Sequence, residues 1–127
     1  MKSIGKIVYS PNTHLLSSKN WAILSCDDEI ARYYRYLSNK QISNLKLVKP
    51  MWGAHISWIR NEIIPNKIWN LSNHKVIEYE YDIDIRNNSK FYWLQVKCDY
   101  LLELRAQYGL SKYPKFGLHL TIGRVIK

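Results

Sequence analysis

The chain has 127 residues, of which 46% are hydrophobic and 23% are charged, a composition typical of one globular domain, here expected to span residues 1–127. A formal net charge of +9 favours an anionic partner such as nucleic acid, nucleotide or phosphate, although solubility alone would also explain it. No apolar run is long enough to cross a membrane and the N-terminus lacks an apolar signal segment, so we expect a cytoplasmic protein with no membrane partner. Two cysteines are too few for a disulfide scaffold or a zinc site.

In the first half of the chain, hydrophobic spacing predicts two strands, a helix and a third strand. Asp27, followed by two further acidic residues, is typical of a helix N-terminus. The predicted elements are strands at 5–9 and 21–26, a helix from the Asp27 cap to about residue 39, and a strand at 52–59.

The second half repeats this order. Residues 77–86 alternate between apolar and acidic side chains, which predicts a strand with Ile83 on its inner face and a solvated acidic outer face. A turn at 87–89 leads to a partner strand. The remaining predicted elements are a strand at 91–98, a helix at 100–108 capped by Asp99 and ended by Gly109, and a strand at 116–125.

Short identities support a division into two halves. Trp21 precedes Cys26 by five residues, and Trp93 precedes Cys98 by five, in both cases where a strand runs into an acidic helix start. Each half then carries a His-x-hydroxyl triplet, HIS at 55–57 and HLT at 119–121. This ordered repetition indicates an internal duplication.

The two triplets are the candidate catalytic residues. Alternate residues of a strand share a face, so His55 lies beside Ser57, and His119 beside Thr121. Cleavage of a phosphodiester needs one base and one acid, which two histidines can supply near neutral pH, while the hydroxyls hold the phosphate oxygens. This chemistry requires no metal and no cofactor. From the residues alone, two unrelated strand histidines remain the alternative.

The triplets and their flanks, GAHISW at 53–58 and GLHLTI at 117–122, resemble the 2H phosphoesterase superfamily. The resemblance implies an α+β, pseudo-twofold duplicated fold, in which two antiparallel sheets form a central cleft and the helices lie outside. Within that superfamily, the short chain and the sequence HISWIRNE at 55–62 are most similar to the small phage members. The first motif departs mildly from the family pattern, since it has Ser57 where threonine is commoner.

Those phage members include the anti-CBASS cyclic-oligonucleotide phosphodiesterases. The resemblance therefore implies a metal-independent hydrolase that degrades cyclic di- or trinucleotide messengers of host immunity, in the host cytoplasm if the protein is phage-encoded. Other branches act on RNA ends as 2′,3′-cyclic phosphodiesterases or 2′–5′ RNA ligase-like enzymes. A non-catalytic nucleic-acid-binding module is the alternative of a different class. The assignment of acid and base, the messenger and the oligomeric state stay open.

Aromatic and basic residues supply candidate substrate contacts. Tyr9, Trp52 and Trp69 are candidates for stacking on bases, with packing in the core or at the rim as the alternative for each. Arg60 and Arg124 each follow the motif hydroxyl by three residues and are candidate phosphate clamps. Strict strand alternation places both arginines on the face opposite the histidines, so they can serve only if the strand ends or bulges.

Overall fold

The computed structural model describes residues 1–9, 20–50, 53–62 and 73–126. Ten elements follow one another in this part of the chain. They are β1 (Lys2–Tyr9), β2 (Asn20–Ser25), α1 (Asp28–Gln41), β3 (Leu47–Val48), β4 (His55–Glu62), β5 (Val76–Tyr81), β6 (Arg86–Asn87), β7 (Phe91–Lys97), α2 (Asp99–Gln107) and β8 (His119–Val125).

The helix ends follow local chemistry, with one exception. Asp27 caps α1 as predicted, and its carboxylate accepts the Glu29 amide at 3.0 Å. In α2 the expected cap was wrong, because Asp99 is the first helical residue and Cys98 occupies the cap position without a side-chain bond. The negative charge of Asp99 in the first turn still interacts favourably with the helix dipole. Gly109 follows α2 at φ +81°, as expected of a helix stop.

The alternating segment at 77–86 forms a strand only in its first part. After β5 ends at Tyr81, the Asp84 amide donates to the Asp82 carboxylate at 3.0 Å, which turns the chain out of the sheet. Ile83 is therefore 56% exposed, and its predicted inward position was wrong. A turn follows directly after β6, where the side-chain oxygen of Asn88 accepts the amides of residues 90 and 91. The predicted turn at 87–89 therefore began one residue too early, since Asn87 still pairs with Tyr92 in the sheet.

The strands form a single closed sheet. The hydrogen-bonded order β3-β8-β4-β2-β1-β5-β7-β6 is completed by a further pairing of β7 with β8. Six strands (β8, β4, β2, β1, β5 and β7) thus close into an antiparallel barrel, and β3 and β6 are short additions. The expected α+β fold of two sheets around a cleft was wrong, because β1 pairs with β2 on one side and with β5 on the other and so joins the halves.

The core lies along one face of these strands. Ile56, Trp58, Leu120 and Ile122 are fully buried, while the residues between them on β4 and β8 are half-buried. Helix α1 packs against β8 and β3, and α2 packs against β4. Burial of this face leaves the opposite face of β4 and β8 available for a site. In the described part of the chain, neither helix is long and apolar enough to cross a membrane.

Candidate active site

A cleft of about 600 Å³ lies over the exposed face of β4 and β8. Both His-x-hydroxyl pairs and both motif arginines line it, so all six residues face one space. Its described lining is His55, Ser57, Arg60, His119, Thr121, Arg124, Trp21, Pro50, Asn88, Phe91, Trp93 and Phe116. Two arginines and no acidic side chain contribute to that lining, which favours an anionic ligand.

The pairing of β4 with β8 brings the two histidine–hydroxyl pairs together. Strands β4 and β8 are antiparallel, and their register pairs Ile56 with Leu120. Because neighbouring positions on a strand point to opposite faces, the residues on either side of this pair all point into the cleft. The antiparallel direction then sets Ser57 beside His119 and Thr121 beside the other histidine. Each imidazole thus has the hydroxyl of the opposite motif as its cross-strand neighbour.

Matching bulges bring the arginines to the cleft face. In β4, Ser57 lies opposite Ile23 and Ile59 opposite Ala22, so Trp58 is an extra residue. Such an extra residue shifts the alternation by one. Arg60, which strict alternation would point away from the histidines, therefore lines the cleft.

The same irregularity occurs in β8. Thr121 lies opposite Trp93 and Gly123 opposite Tyr92, so Ile122 is the extra residue. Arg124 consequently also lines the cleft. Both strands show one burial order: half-buried histidine, buried, half-buried hydroxyl, two buried residues and an exposed arginine.

A glycine two residues before each histidine orients its ring. Gly53 and Gly117 adopt φ +71° and +68°, a left-handed region that glycine enters without strain. The Gly53 carbonyl lies 3.0 Å from Nδ1 of His55, and the backbone of Gly117 hydrogen-bonds the His119 ring. Because a carbonyl oxygen can only accept, Nδ1 of His55 is the donor in this contact.

The environment favours the neutral form of His119. Burial lowers the pKa of His119 below its ordinary value near 6.5, and the positive charges of Arg60 and His55 lower it further. The backbone bond from Gly117 acts in the opposite direction but does not offset these effects. A neutral imidazole near pH 7 can accept a proton.

Four aromatic side chains surround the polar centre of the cleft. The Arg60 guanidinium lies 5.6 Å from the Trp21 ring centroid, and the Trp93 ring meets the His119 ring edge-on at 6.1 Å. Phe91 and Phe116 are 43% and 73% exposed. Exposed aromatic faces beside cations are suited to stacked bases.

The other predicted substrate contacts fare differently. Tyr9 is only 6% exposed, since its hydroxyl bonds that of Tyr108 at 2.5 Å and its ring packs against Trp58. It is absent from the described lining of the cleft, so this position does not support the predicted base contact. Trp52 and Trp69 lie outside the described residues.

Within the described ranges, no group of three or more His, Cys, Asp or Glu side chains is placed to hold a metal ion. The acidic row on β5 faces outward, where Glu78 and Glu80 lie within 4 Å of the Lys2 amine. These carboxylates therefore belong to an exposed ion-pair surface and not to the cleft.

Comparisons of the chain with protein-family models, with curated proteins and with solved structures found no match.

Sequence reasoning missed three groups of residues. The glycines at 53 and 117 repeat at the same distance from each histidine, and this spacing could have revealed them. The cleft aromatics on β2 and β7 carried no such signal, because their position depends on which strands pair. The sequence also contained no signal for Arg35 and Arg105, which contact the bulges from the helices.

Proposed function

We propose that the protein is a phosphodiesterase that uses two histidines for acid–base catalysis and hydrolyses cyclic oligonucleotide messengers. One observation carries the proposal. A single cleft gathers two imidazoles, two hydroxyls and two guanidinium groups from the matched strands β4 and β8. Each of these groups has a use in phosphoryl transfer. A surface that only binds nucleic acid would not require the same groups twice.

The surroundings of His119 favour it as the base. Its pKa is held low by burial and by the nearby charges of Arg60 and His55, so the neutral ring is available near pH 7. His119 would remove a proton from the attacking water molecule. His55 would then act as the acid and give its proton to the leaving oxygen.

The remaining polar groups would hold the phosphate between the two rings. Ser57 and Thr121 can donate their hydroxyl hydrogens to the non-bridging oxygens, and Arg60 and Arg124 can neutralise the charge that grows on them. In the step itself, a bond forms between phosphorus and the attacking oxygen, and the bond to the leaving oxygen breaks. One proton passes to His119 and one leaves His55, so the net charge of the pair is unchanged.

Aromatic side chains support a nucleotide as the substrate. The rings of Trp21, Phe91, Trp93 and Phe116 border the polar centre, so bases on either side of a central phosphate would have a stacking partner. A volume of about 600 Å³ lies within the ordinary range for small-ligand pockets. The likeness of the two motifs to the 2H phosphoesterases favours a cyclic di- or trinucleotide.

The deciding experiment incubates the purified protein, in EDTA, with a panel of cyclic di- and trinucleotides and with an RNA that ends in a 2′,3′-cyclic phosphate. Products are separated by chromatography. We expect cleavage of at least one cyclic oligonucleotide. Cleavage of the RNA end alone would move the protein to the RNA-processing branch, and loss of all activity in EDTA would contradict the metal-independent chemistry.

A matched histidine variant tests whether any cleavage belongs to this cleft. His74 is exposed and outside the described cleft lining, so H74N should cleave like the wild type. If no substrate is cleaved but RNA or DNA binds in a salt-sensitive manner, also after H55A and H119A are combined, the binding-module alternative replaces the enzyme.

A further inference from the structure

Each of the two bulges receives a hydrogen bond from an arginine on a helix. Nη1 of Arg105, on α2, donates to the Trp58 carbonyl at 2.7 Å. Nη1 of Arg35, on α1, donates to the Ile122 carbonyl at 2.8 Å. Trp58 and Ile122 are the extra residues of the β4 and β8 bulges. In both bulges, therefore, a helix arginine donates to the backbone carbonyl of the extra residue.

These contacts cross between the two halves of the chain. Helix α1 precedes β4 in the chain but contacts the bulge of β8, whereas α2 precedes β8 but contacts the bulge of β4. Each histidine strand is thus held by the helix of the other half. These hydrogen bonds therefore form only when the two halves are packed together, as they are around the cleft.

In a regularly paired strand, these carbonyls would bond to the neighbouring strand and would not be available to the helix arginines. A bulge disturbs the ladder, and a buried carbonyl without a donor is strongly unfavourable. An arginine that donates to this carbonyl stabilises the bulged register relative to the regular one. The bulge in turn decides whether the residue after it points to the cleft or away from it.

We propose that Arg35 and Arg105 are positioning residues for the phosphate site. Arg105 holds the β4 bulge and so directs Arg60 into the cleft, and Arg35 holds the β8 bulge and so directs Arg124. The assignment rests on the proposed function in one respect, that the cleft arginines bind a phosphate group.

The two helix arginines differ in their setting. Arg105 is 1% exposed and also bonds both carboxylate oxygens of Glu62, at 2.6 and 3.0 Å, and the Ser111 carbonyl at 2.8 Å. Burial alone would raise the pKa of the Glu62 carboxyl, but hydrogen bonds from Arg105 and from the Arg60 amide, with the Arg105 charge, bring the pKa below its ordinary value. The pair therefore stays ionised.

Arg35 is partly exposed, and its bulge instead contains a glycine. A Cβ on Gly123 would lie 3.0 Å from the Leu47 Cβ and 3.1 Å from the Val48 carbonyl. Close approach of β3 thus leaves no room for a side chain at this bulge, whereas β4 carries Ile59 at the matching position. We expect R35M to fold more readily than R105M, which would strand the Glu62 charge.

The test combines bulge geometry with anion binding. Cross-strand nuclear Overhauser effects report the register of Ala22 with Ile59 and of Tyr92 with Gly123. Inorganic pyrophosphate serves as the probe, and its Kd is measured by titration of the backbone amides. R35M should lose the Tyr92–Gly123 register, keep the Ala22–Ile59 register and weaken pyrophosphate binding about tenfold.

Double variants separate positioning from general damage. R35M should add little to the loss in R124M, because it acts through Arg124, but should multiply the loss in R60M. R105M should behave in the opposite way, adding little to R60M. If R105M alone does not fold, the double variant R105M/E62Q removes both charges and takes the place of R105M in this comparison. R32M, on the exposed face of α1, is the control and should change neither register nor affinity.

Three outcomes are distinguishable. An intact β8 bulge in R35M, or losses that multiply equally with both cleft arginines, overturns the positioning role. Wild-type protein that binds pyrophosphate without cleaving any phosphodiester contradicts the proposed function and leaves the positioning role intact. If the wild type does not bind pyrophosphate, the phosphate site is refuted, and with it the directing role proposed here.

Discussion

The strands β4 and β8 have the same backbone pattern but different surroundings. Both present histidine, hydroxyl, bulge and arginine in one order. The β4 bulge contains a large buried residue, Ile59, and is held by the buried Arg105, which pairs with the half-buried Glu62. The β8 bulge contains Gly123 and is held by the half-buried Arg35. The ring of His119 meets the ring of Trp93 edge-on. The two strands thus share one backbone frame, but the surroundings of that frame differ between them.

The largest expected effect comes from the histidines themselves. If His55 and His119 act as acid and base in one step, H55A and H119A should each lower kcat by about 10²–10⁴-fold. The double variant should be little worse than either single one, since a catalytic pair fails as a unit. Steady-state kinetics measure this, with circular dichroism to establish folding and H74N as the control. Near-normal turnover in H119A would mean that the two strands do not cooperate.

The hydroxyls should have a smaller effect, and one that compares the halves directly. If both hold the phosphate in the transition state, T121V and S57A should each reduce kcat by about 10²–10³-fold with a modest change in KM. T121S keeps the donor and should retain most of the activity. A large loss in only one half would show that the phosphate rests against one strand, and loss in T121S equal to that in T121V would point to packing instead.

Aromatic contacts should affect binding more than chemistry. Stacking contributes about 1–3 kcal/mol per base, so W21L and W93L should each raise KM about 5- to 150-fold while kcat falls little. Y36L removes an aromatic ring that is 58% exposed on α1 and serves as the control. Equal effects of the two tryptophan changes would indicate two base subsites, and an effect of W93L on kcat alone would indicate that its ring acts through His119.

The smallest expected effect is a shift in pH dependence. Arg60 lowers the pKa of His119 through its positive charge, after the larger contribution of burial. Without that charge the protonated ring is less disfavoured, the pKa rises, and the base is neutral only at higher pH. The acidic limb of the kcat/KM profile should therefore move to higher pH in R60M and move less in R124M. A shift to lower pH, or equal shifts in both variants, would argue against His119 as the base.

Much of the local structure was predictable. Strand alternation correctly buried Trp58 and put each histidine on one face with its hydroxyl, and Asp27 marked the start of α1. These features depend on neighbours within a few residues, so a sequence pattern contains them. Alternation failed at Ile83, where a side-chain hydrogen bond turned the chain out of the strand.

The sequence identities that were used to divide the chain into two halves do not match the strand register. Sequence identities match Trp21 with Trp93, but the strand register places Ser25 opposite His55 and Gln95 opposite His119. By that register the residue equivalent to Trp21 is Phe91. Both alignments preserve which face a residue occupies, because they differ by two positions, so the error did not affect the prediction of the catalytic face.

By itself, the sequence determined the helix α1, the faces of the regular strand segments and the two histidine–hydroxyl pairs, because these follow from side-chain period and from caps a few residues away. Only the tertiary structure decided that the six strands close into one sheet, that Tyr9 is buried and that Arg60 and Arg124 enter the cleft. Closure depends on which distant strands share hydrogen bonds. The arginines depend on two bulges whose carbonyls are bonded from helices far away in the chain, and no local pattern records such a contact.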